Sequence, residues 1–172
     1  MKKLNKAYLL EGSNMEPRFD LIQQATDMIN AEVGRVIQLS SVYESEAWGF
    51  DSDQKFLNQV LFIETHLVPA ELLECILRIE KKLGRIRKAK EGYESRRIDI
   101  DILYFNDQII DTPRLLVPHP RLHLRQFALV PLVEIAPNHL HPVLKKTNRE
   151  LLECLDDRSE VMVFKEMQKD EI

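Results

Sequence analysis

The stretch Arg96-Arg97-Ile98-Asp99-Ile100-Asp101-Ile102-Leu103-Tyr104-Phe105 limits the architecture of this chain more than any other. Apolar and β-branched residues dominate it, as in a buried strand, yet aspartates interrupt it at alternate positions. A strand turns residues i and i+2 to one face. Asp99 and Asp101 therefore share a side, with backbone positions roughly 7 Å apart, while Ile98, Ile100 and Ile102 point into a core. Two ionised carboxylates about 6 Å apart repel by roughly 3 kcal/mol at an effective dielectric of about 20, which calls for a cation between them. A half-exposed strand with one polar face is the plainer alternative.

The surrounding charge favours the first reading. From Lys81 to Arg97 there are eight basic and two acidic residues, a net of +6 in a chain whose total is -4. The overall sign argues against general nucleic-acid binding, whereas a local positive segment leading into two aspartates suits a polyanion and its metal ions. A length of 172 residues with 44% hydrophobic and 30% charged residues predicts one soluble domain. No apolar run approaches the ~18 residues of a membrane helix, and the N-terminus lacks the apolar core of a leader. Cys75 and Cys154 lie far apart in apolar patterns without metal spacing, so they are expected to be reduced core residues of a cytoplasmic protein.

Local patterns give the element order. Lys6 to Leu10 predicts a strand closed by a Gly12-Ser13-Asn14 turn, and Phe19, Ile22, Ala25 and Ile29 mark a helix from about Glu16 to Ala31. A strand is expected from Gly34 to Tyr43 and another from Phe56 to Leu67. The long connection Glu44 to Lys55 carries Trp48 and Phe50, which either belong to a functional loop or tuck back on the core. Phe56 and Asn58 share a strand face, a ring beside an amide that suits a flat heterocycle. Pro69 opens a helix with Leu72, Ile76, Ile79 and Leu83 as its apolar stripe, and Gly84 ends it. After the opening strand, Gln108 to Ile110 is expected as its hairpin partner. His119, Arg121, His123 and Arg125 form a second basic loop. Phe127 to Ile135 predicts a helix with Pro131 near its start or at a kink, Thr147-x-x-Glu150 a capping box before Leu151 to Leu155, and Val161 to Phe164 a closing strand before a frayed end.

This order predicts an α+β domain of βαββαβ type, helices lying on one face of a largely antiparallel sheet, with a C-terminal helix and strand added. Paired carboxylates suit Mg²⁺, which binds through one or two carboxylates plus substrate phosphates, and the neighbouring arginines suit phosphate. The chemistry implied is phosphoryl or nucleotidyl transfer, with neither a Walker lysine loop nor a kinase glycine loop. A zinc site at His139 and His141 lacks a third ligand nearby, so both are expected as surface histidines. No nucleophile elbow supports a hydrolase.

Gly12-Ser13-Asn14, Phe56-Leu57-Asn58, Gly84-Arg85-Ile86-Arg87, Arg96 to Leu103 and Val117-Pro118-His119-Pro120 occur in one order across Ala7 to Leu155. In this ordered set the chain resembles the 6-hydroxymethyl-7,8-dihydropterin pyrophosphokinases of folate biosynthesis. The resemblance implies a ferredoxin-like fold, ATP as cosubstrate, AMP as coproduct, and two Mg²⁺ held by Asp99 and Asp101. It implies that Arg85, Arg87, Arg96, His119 and Arg125 contact phosphate or ATP and that Glu80 and Arg114 border the nucleotide. Gly12, Ser45, Trp48, Phe56, Asn58 and Phe127 match pterin-lining positions, Phe56 and Phe127 sandwiching the ring. The partners expected are two small molecules, with no nucleic acid and no membrane, on a monomer. Departures from the family pattern include Glu11 in place of a small or apolar residue, Phe56 in place of tyrosine, and Glu94-Ser95 before Arg96. Two rivals are a nucleotidyltransferase using the same strand, which would release pyrophosphate, and a noncatalytic module of the same fold, which would bind nucleotide without Mg²⁺.

Overall fold

The computed structural model describes residues 3–85 and 95–167. Its order is β1 (Asn5–Ser13), α1 (Arg18–Glu32), β2 (Arg35–Leu39), β3 (Val42–Ser45), β4 (Phe56–Thr65), α2 (Pro69–Lys82), β5 (Asp99–Phe105), β6 (Ile110–Asp111), β7 (Leu116–Val117), a 3-10 turn (Leu122–Leu124), α3 (Gln126–Ile135), α4 (Asn148–Glu153) and β8 (Val161–Lys165). Six strands make one sheet in the order β5-β1-β4-β3-β8, with β2 beside β3 along β4. Every pairing in it is antiparallel. This is the ferredoxin-like α+β arrangement expected from the element order.

Helices cover both faces of the sheet, not one. Leu21, Ile22 and Ile29 of α1 and Leu72, Ile76 and Ile79 of α2 pack with Leu9, Leu61, Ile63, Ile100 and Ile102. Ala128, Leu129 and Leu132 of α3 and Leu151 of α4 pack with Leu10, Val60, Leu103 and Tyr104 on the opposite side. The reason is visible in the central strands, where Leu9 and Leu10, and Val60 and Leu61, put apolar residues on both faces. Leaving either face to water would forgo roughly 1.5–3 kcal/mol for each large side chain.

Other expectations change in detail. Gly12 and Ser13 do not turn; they continue β1, pairing with Asn58 and Leu57. The strand expected from Gly34 to Tyr43 is broken at Ser40-Ser41. Ser40 Oγ accepts the Val60 N–H at 2.9 Å where a ladder carbonyl would stand, and the Ser41 N–H donates to the Glu134 carboxylate of α3 at 3.0 and 3.1 Å. Ile110 does not pair with β5; it joins Val117 in a separate two-stranded ribbon. Pro131 lies in the middle of α3 and is buried there, its missing N–H tolerated within a short helix. Cys154 is exposed, so only Cys75 is a core residue, and both are free thiols. His139 and His141 are not surface histidines: both rings lie against Tyr104, with centroids at 4.4 and 5.7 Å.

Two expectations hold closely. Gly84 ends α2 with φ at +90°, a conformation that glycine adopts without a Cβ penalty. The Thr147 capping box is made, with Thr147 Oγ1 accepting the Glu150 N–H and Glu150 Oε2 accepting the Thr147 N–H. The chain end expected to fray, residues 168–172, lies outside the described residues.

Candidate active site

The ladder itself assembles the site. Gly12 of β1 is opposite Asp99 of β5 on one side and Asn58 of β4 on the other. Asp99, Gly12 and Asn58 therefore form one row across three strands, spanning roughly 10 Å at the usual strand spacing. A Cβ on Gly12 would stand 2.7 Å from Asn58 Oδ1, so the glycine is required by this close approach and not by a turn. Two residue pairs along, Asp101 lies beside Leu10 on the same face.

The segment before β5 is fixed by a residue far away in sequence. Buried Asn14 accepts the Arg96 N–H through Oδ1 at 2.7 Å, donates its own N–H to the Arg96 carbonyl at 3.1 Å, and donates from Nδ2 to Ser95 Oγ at 3.0 Å. Arg96 then donates from Nη1 to Asp99 Oδ2 at 2.8 Å, and Arg85 donates from Nη1 to Asp99 Oδ1 at 2.7 Å. Arg85 is also ion-paired with Glu80, a buried carboxylate on α2. Asp101 is held differently. Burial and the neighbouring Asp99 push its carboxyl well above the usual range, against the pull of Arg125, Arg96 and Arg85.

A β-bulge brings His119 to this face. The register of β5 slips between Tyr8–Tyr104 and Leu9–Ile102, leaving Leu103 unpaired, and its carbonyl accepts the His119 N–H at 3.0 Å. The Arg121 N–H donates to His119 Nδ1 at 3.1 Å, which leaves Nε2 as the protonated nitrogen, 3.9 Å from Asp101 Oδ2. Burial, helped by the Arg125 charge, lowers the His119 pKa to about 4. His119 is thus a neutral N–H donor and not a cation at neutral pH. Arg125, nearly buried, sets its guanidinium 4.7 Å from the Trp48 ring and 5.5 Å from that of Phe127.

The slot beyond Asn58 is aromatic. Phe50 meets Phe56 edge-on at 6.0 Å, and Trp48 meets Phe127 at 6.4 Å. Ser45, opposite Phe56 at the end of β3, is buried with its Oγ lacking a hydrogen-bond partner, a polar atom available to a ligand. A cavity of about 330 Å³ is lined by Gly12, Ser45, Trp48, Phe56, Asn58 and Phe127 together with Arg96, Asp99, Asp101, His119 and Arg125. A second, of about 710 Å³, is lined by Glu80, Arg85 and Arg114 and again by Arg96, Asp99, Asp101 and His119. The two aspartates stand at the seam.

All but one of the site residues expected from sequence line these cavities; Arg87 lies outside the described residues. Arg114 is exposed and ion-paired with Glu74 of α2. The sequence reasoning missed Glu46 and Leu10 in the first cavity, and Leu73, Leu77 and Thr112 in the second. Leu73 and Leu77 carried a usable signal, being four apart and beside the core stripe of α2. Among the described residues no group of three or more His, Cys, Asp or Glu side chains could hold a metal ion.

A carboxylate pair at the seam between a basic cavity and an aromatic slot defines a small-molecule transferase that handles a polyanion and a flat ring. The family model for 7,8-dihydro-6-hydroxymethylpterin-pyrophosphokinase (HPPK) matches residues 8–137. The 2-amino-4-hydroxy-6-hydroxymethyldihydropteridine pyrophosphokinase of Aquifex aeolicus is 45% identical over 143 residues, covering 83% of this chain and 88% of that one. The enzyme of the same name from Bacillus subtilis is 37% identical over 163 residues, covering 94% and 92%. The wild-type Plasmodium falciparum HPPK-DHPS structure with pterin and p-hydroxybenzoate superposes with a TM-score of 0.70 at 18% identity, a likeness of fold. It covers 89% of this chain and 43% of that longer one. The chain belongs to the 7,8-dihydro-6-hydroxymethylpterin-pyrophosphokinase family. Its activity is transfer of the diphosphate of ATP to the hydroxymethyl group of 6-hydroxymethyl-7,8-dihydropterin, releasing AMP, in folate biosynthesis.

Proposed function

We propose that the transfer is Mg²⁺-dependent and that Asp99 and Asp101 hold two Mg²⁺ at the seam, with ATP on the Arg85 side and the pterin on the Asn58 side. The observation that carries this reading is that both carboxylates line both cavities. The donor set fits the ion. Two carboxylates are too few for an all-protein cage, but they are what Mg²⁺ uses when water and substrate phosphates complete its shell. Each Asp99 oxygen accepts one arginine N–H and keeps a second lone pair. When bound, Mg²⁺ would supply neutralisation of the phosphate charge.

The chain's own residues do the remaining work. Arg85, Arg87, Arg96 and Arg125 offset charge on the transferring and leaving phosphates, and His119 donates its Nε2–H to a phosphate oxygen. Glu80 keeps Arg85 in place, and Arg114 borders the nucleotide. Phe56 and Phe127 sandwich the pterin, Asn58 and Ser45 hydrogen-bond its edge, and Gly12 lets it approach the sheet. Trp48 closes the slot against water. The pterin hydroxyl then attacks the β-phosphorus in line as the bond from that phosphorus to the oxygen bridging the α-phosphorus breaks; AMP leaves with the bridging oxygen, the hydroxyl proton passes to solvent, and catalysis comes from positioning and charge neutralisation. No helix among the described residues is long and apolar enough to cross a membrane, and the free Cys75 and Cys154 support a reducing, cytoplasmic setting.

The test is Asp101→Asn. The variant keeps its far-ultraviolet spectrum and thermal transition, but its turnover at saturating Mg²⁺ falls by on the order of a thousandfold. Turnover near that of the wild type would remove the carboxylate from the mechanism.

A further inference from the structure

Arg18 lines neither cavity, yet it holds both ends of the loop that presents Trp48 and Phe50. The loop of residues 46–55 joins β3 to β4, and the sheet closes it through the pair Ser45 and Phe56. Arg18 is the first residue of α1. Its Nη1 donates to Glu44 Oε2 at 2.8 Å on the outgoing stem and to the Lys55 carbonyl at 2.9 Å on the returning stem. One amino group carries two protons, so both contacts are made together. Nε donates to Glu16 Oε1 at 2.8 Å, and the guanidinium carbon lies 5.7 Å from the Phe164 ring of β8. The side chain is only 14% exposed. Screening by solvent is correspondingly weak, and the fork is fixed from three directions.

The geometry points to Arg18 as a positioning residue for the pterin: it fixes the loop that lays Trp48 against Phe127 and Phe50 against Phe56, and so sets affinity for the ring without touching it. This rests on the reading that the aromatic cavity takes the pterin. Lys55 immediately precedes Phe56, so releasing the Lys55 carbonyl frees the residue next to the stacking ring itself. The second cavity shares none of these loop residues, which predicts an effect on one substrate only. Lysine at position 18 can offer its three protons to both stems but has neither the planar fork nor a second nitrogen for Glu16, so it holds the stems less rigidly.

Arg18→Ala and Arg18→Lys are the variants, read by steady-state kinetics for each substrate and by the emission of Trp48, the single tryptophan of the chain. Arg18→Ala is expected to raise KM for the pterin about tenfold, Arg18→Lys about threefold, with KM for ATP within about twofold in both. Trp48 becomes more accessible to acrylamide in the same order. Equal losses for both substrates, or an unchanged pterin KM with unchanged Trp48 quenching, overturns the assignment. Should Arg18→Ala fail to fold, Arg18→Lys alone decides by the same split. Titration of the wild type with 6-hydroxymethylpterin separates the two levels. Failure of that ligand to change Trp48 emission overturns the pterin reading of the cavity, whereas normal binding by wild type and both variants overturns only the role of Arg18.

Discussion

Replacing Glu11 with glutamine should reshape how stability depends on pH. Glu11 lies in the middle of β1 on the α1 face of the sheet, fully buried, with Thr26 Oγ1 donating to Oε2 at 2.8 Å and with Oε1 lacking a hydrogen-bond partner. Burial, opposed by the Thr26 hydrogen bond and reinforced by Asp27, raises its pKa from 4.5 to about 8. The native state thus keeps a proton that the unfolded chain releases above pH 4.5. Stability contributed by this proton is fully present below pH 4.5 and is lost as pH rises to about 8. At about 1.4 kcal/mol per pH unit, the full window is worth on the order of 5 kcal/mol. Glutamine has the same shape, still accepts from Thr26, and has no proton to lose. The assay is urea unfolding of both proteins from pH 5 to pH 9. The difference between them cancels the titrating groups that do not interact with Glu11, including Asp101 and His119. The two are expected to be within about 1 kcal/mol at pH 5, and Glu11→Gln to be more stable by several kcal/mol at pH 9. Parallel profiles would falsify the claim that Glu11 is neutral in the folded state.

Gly12→Ala places a methyl group 2.7 Å from Asn58 Oδ1 and should move that amide off the row it shares with Asp99. Pterin affinity, measured by calorimetry, is expected to fall by about tenfold or more, while the thermal midpoint changes by only a few degrees because the clash falls on a side-chain end. His119 should remain neutral throughout the working range. Its imidazole resonances are expected to be flat from pH 8 to 5.5 and to titrate near pH 4, and a midpoint near 6.5 refutes the buried-donor role. The sign for stability follows: the unfolded chain takes up this proton first, so stability falls as pH drops from about 6.5 towards 4.

The parts of the site that follow a local period were legible in the sequence. Asp99 with Asp101, and Phe56 with Asn58, share faces because a strand repeats every two residues, and the structure keeps both pairs together in one cavity. What depends on distant partners was not. Asn14 holds the Arg96 backbone across 82 positions, and nothing in Gly-Ser-Asn distinguishes that tether from a turn. The bulge at Leu103 that anchors His119 comes from a mismatch between two strands, which neither strand shows alone. Helices on both faces could have been inferred from Leu9-Leu10 and Val60-Leu61, since adjacent apolar residues on a strand need cover on both sides. The neutrality of His119 follows from burial and the nearby Arg125, both products of tertiary packing.

In the proposed function Asp99 and Asp101 join the ATP and pterin sites through Mg²⁺. Calorimetric titration of the protein with a nonhydrolysable ATP analogue, with and without Mg²⁺, tests it directly. Mg²⁺ is expected to tighten binding by about a hundredfold in the wild type and by less than about threefold in Asp99→Asn and Asp101→Asn. Equal affinity in the presence and absence of Mg²⁺ for the wild type, or the same enhancement in the variants, would contradict it.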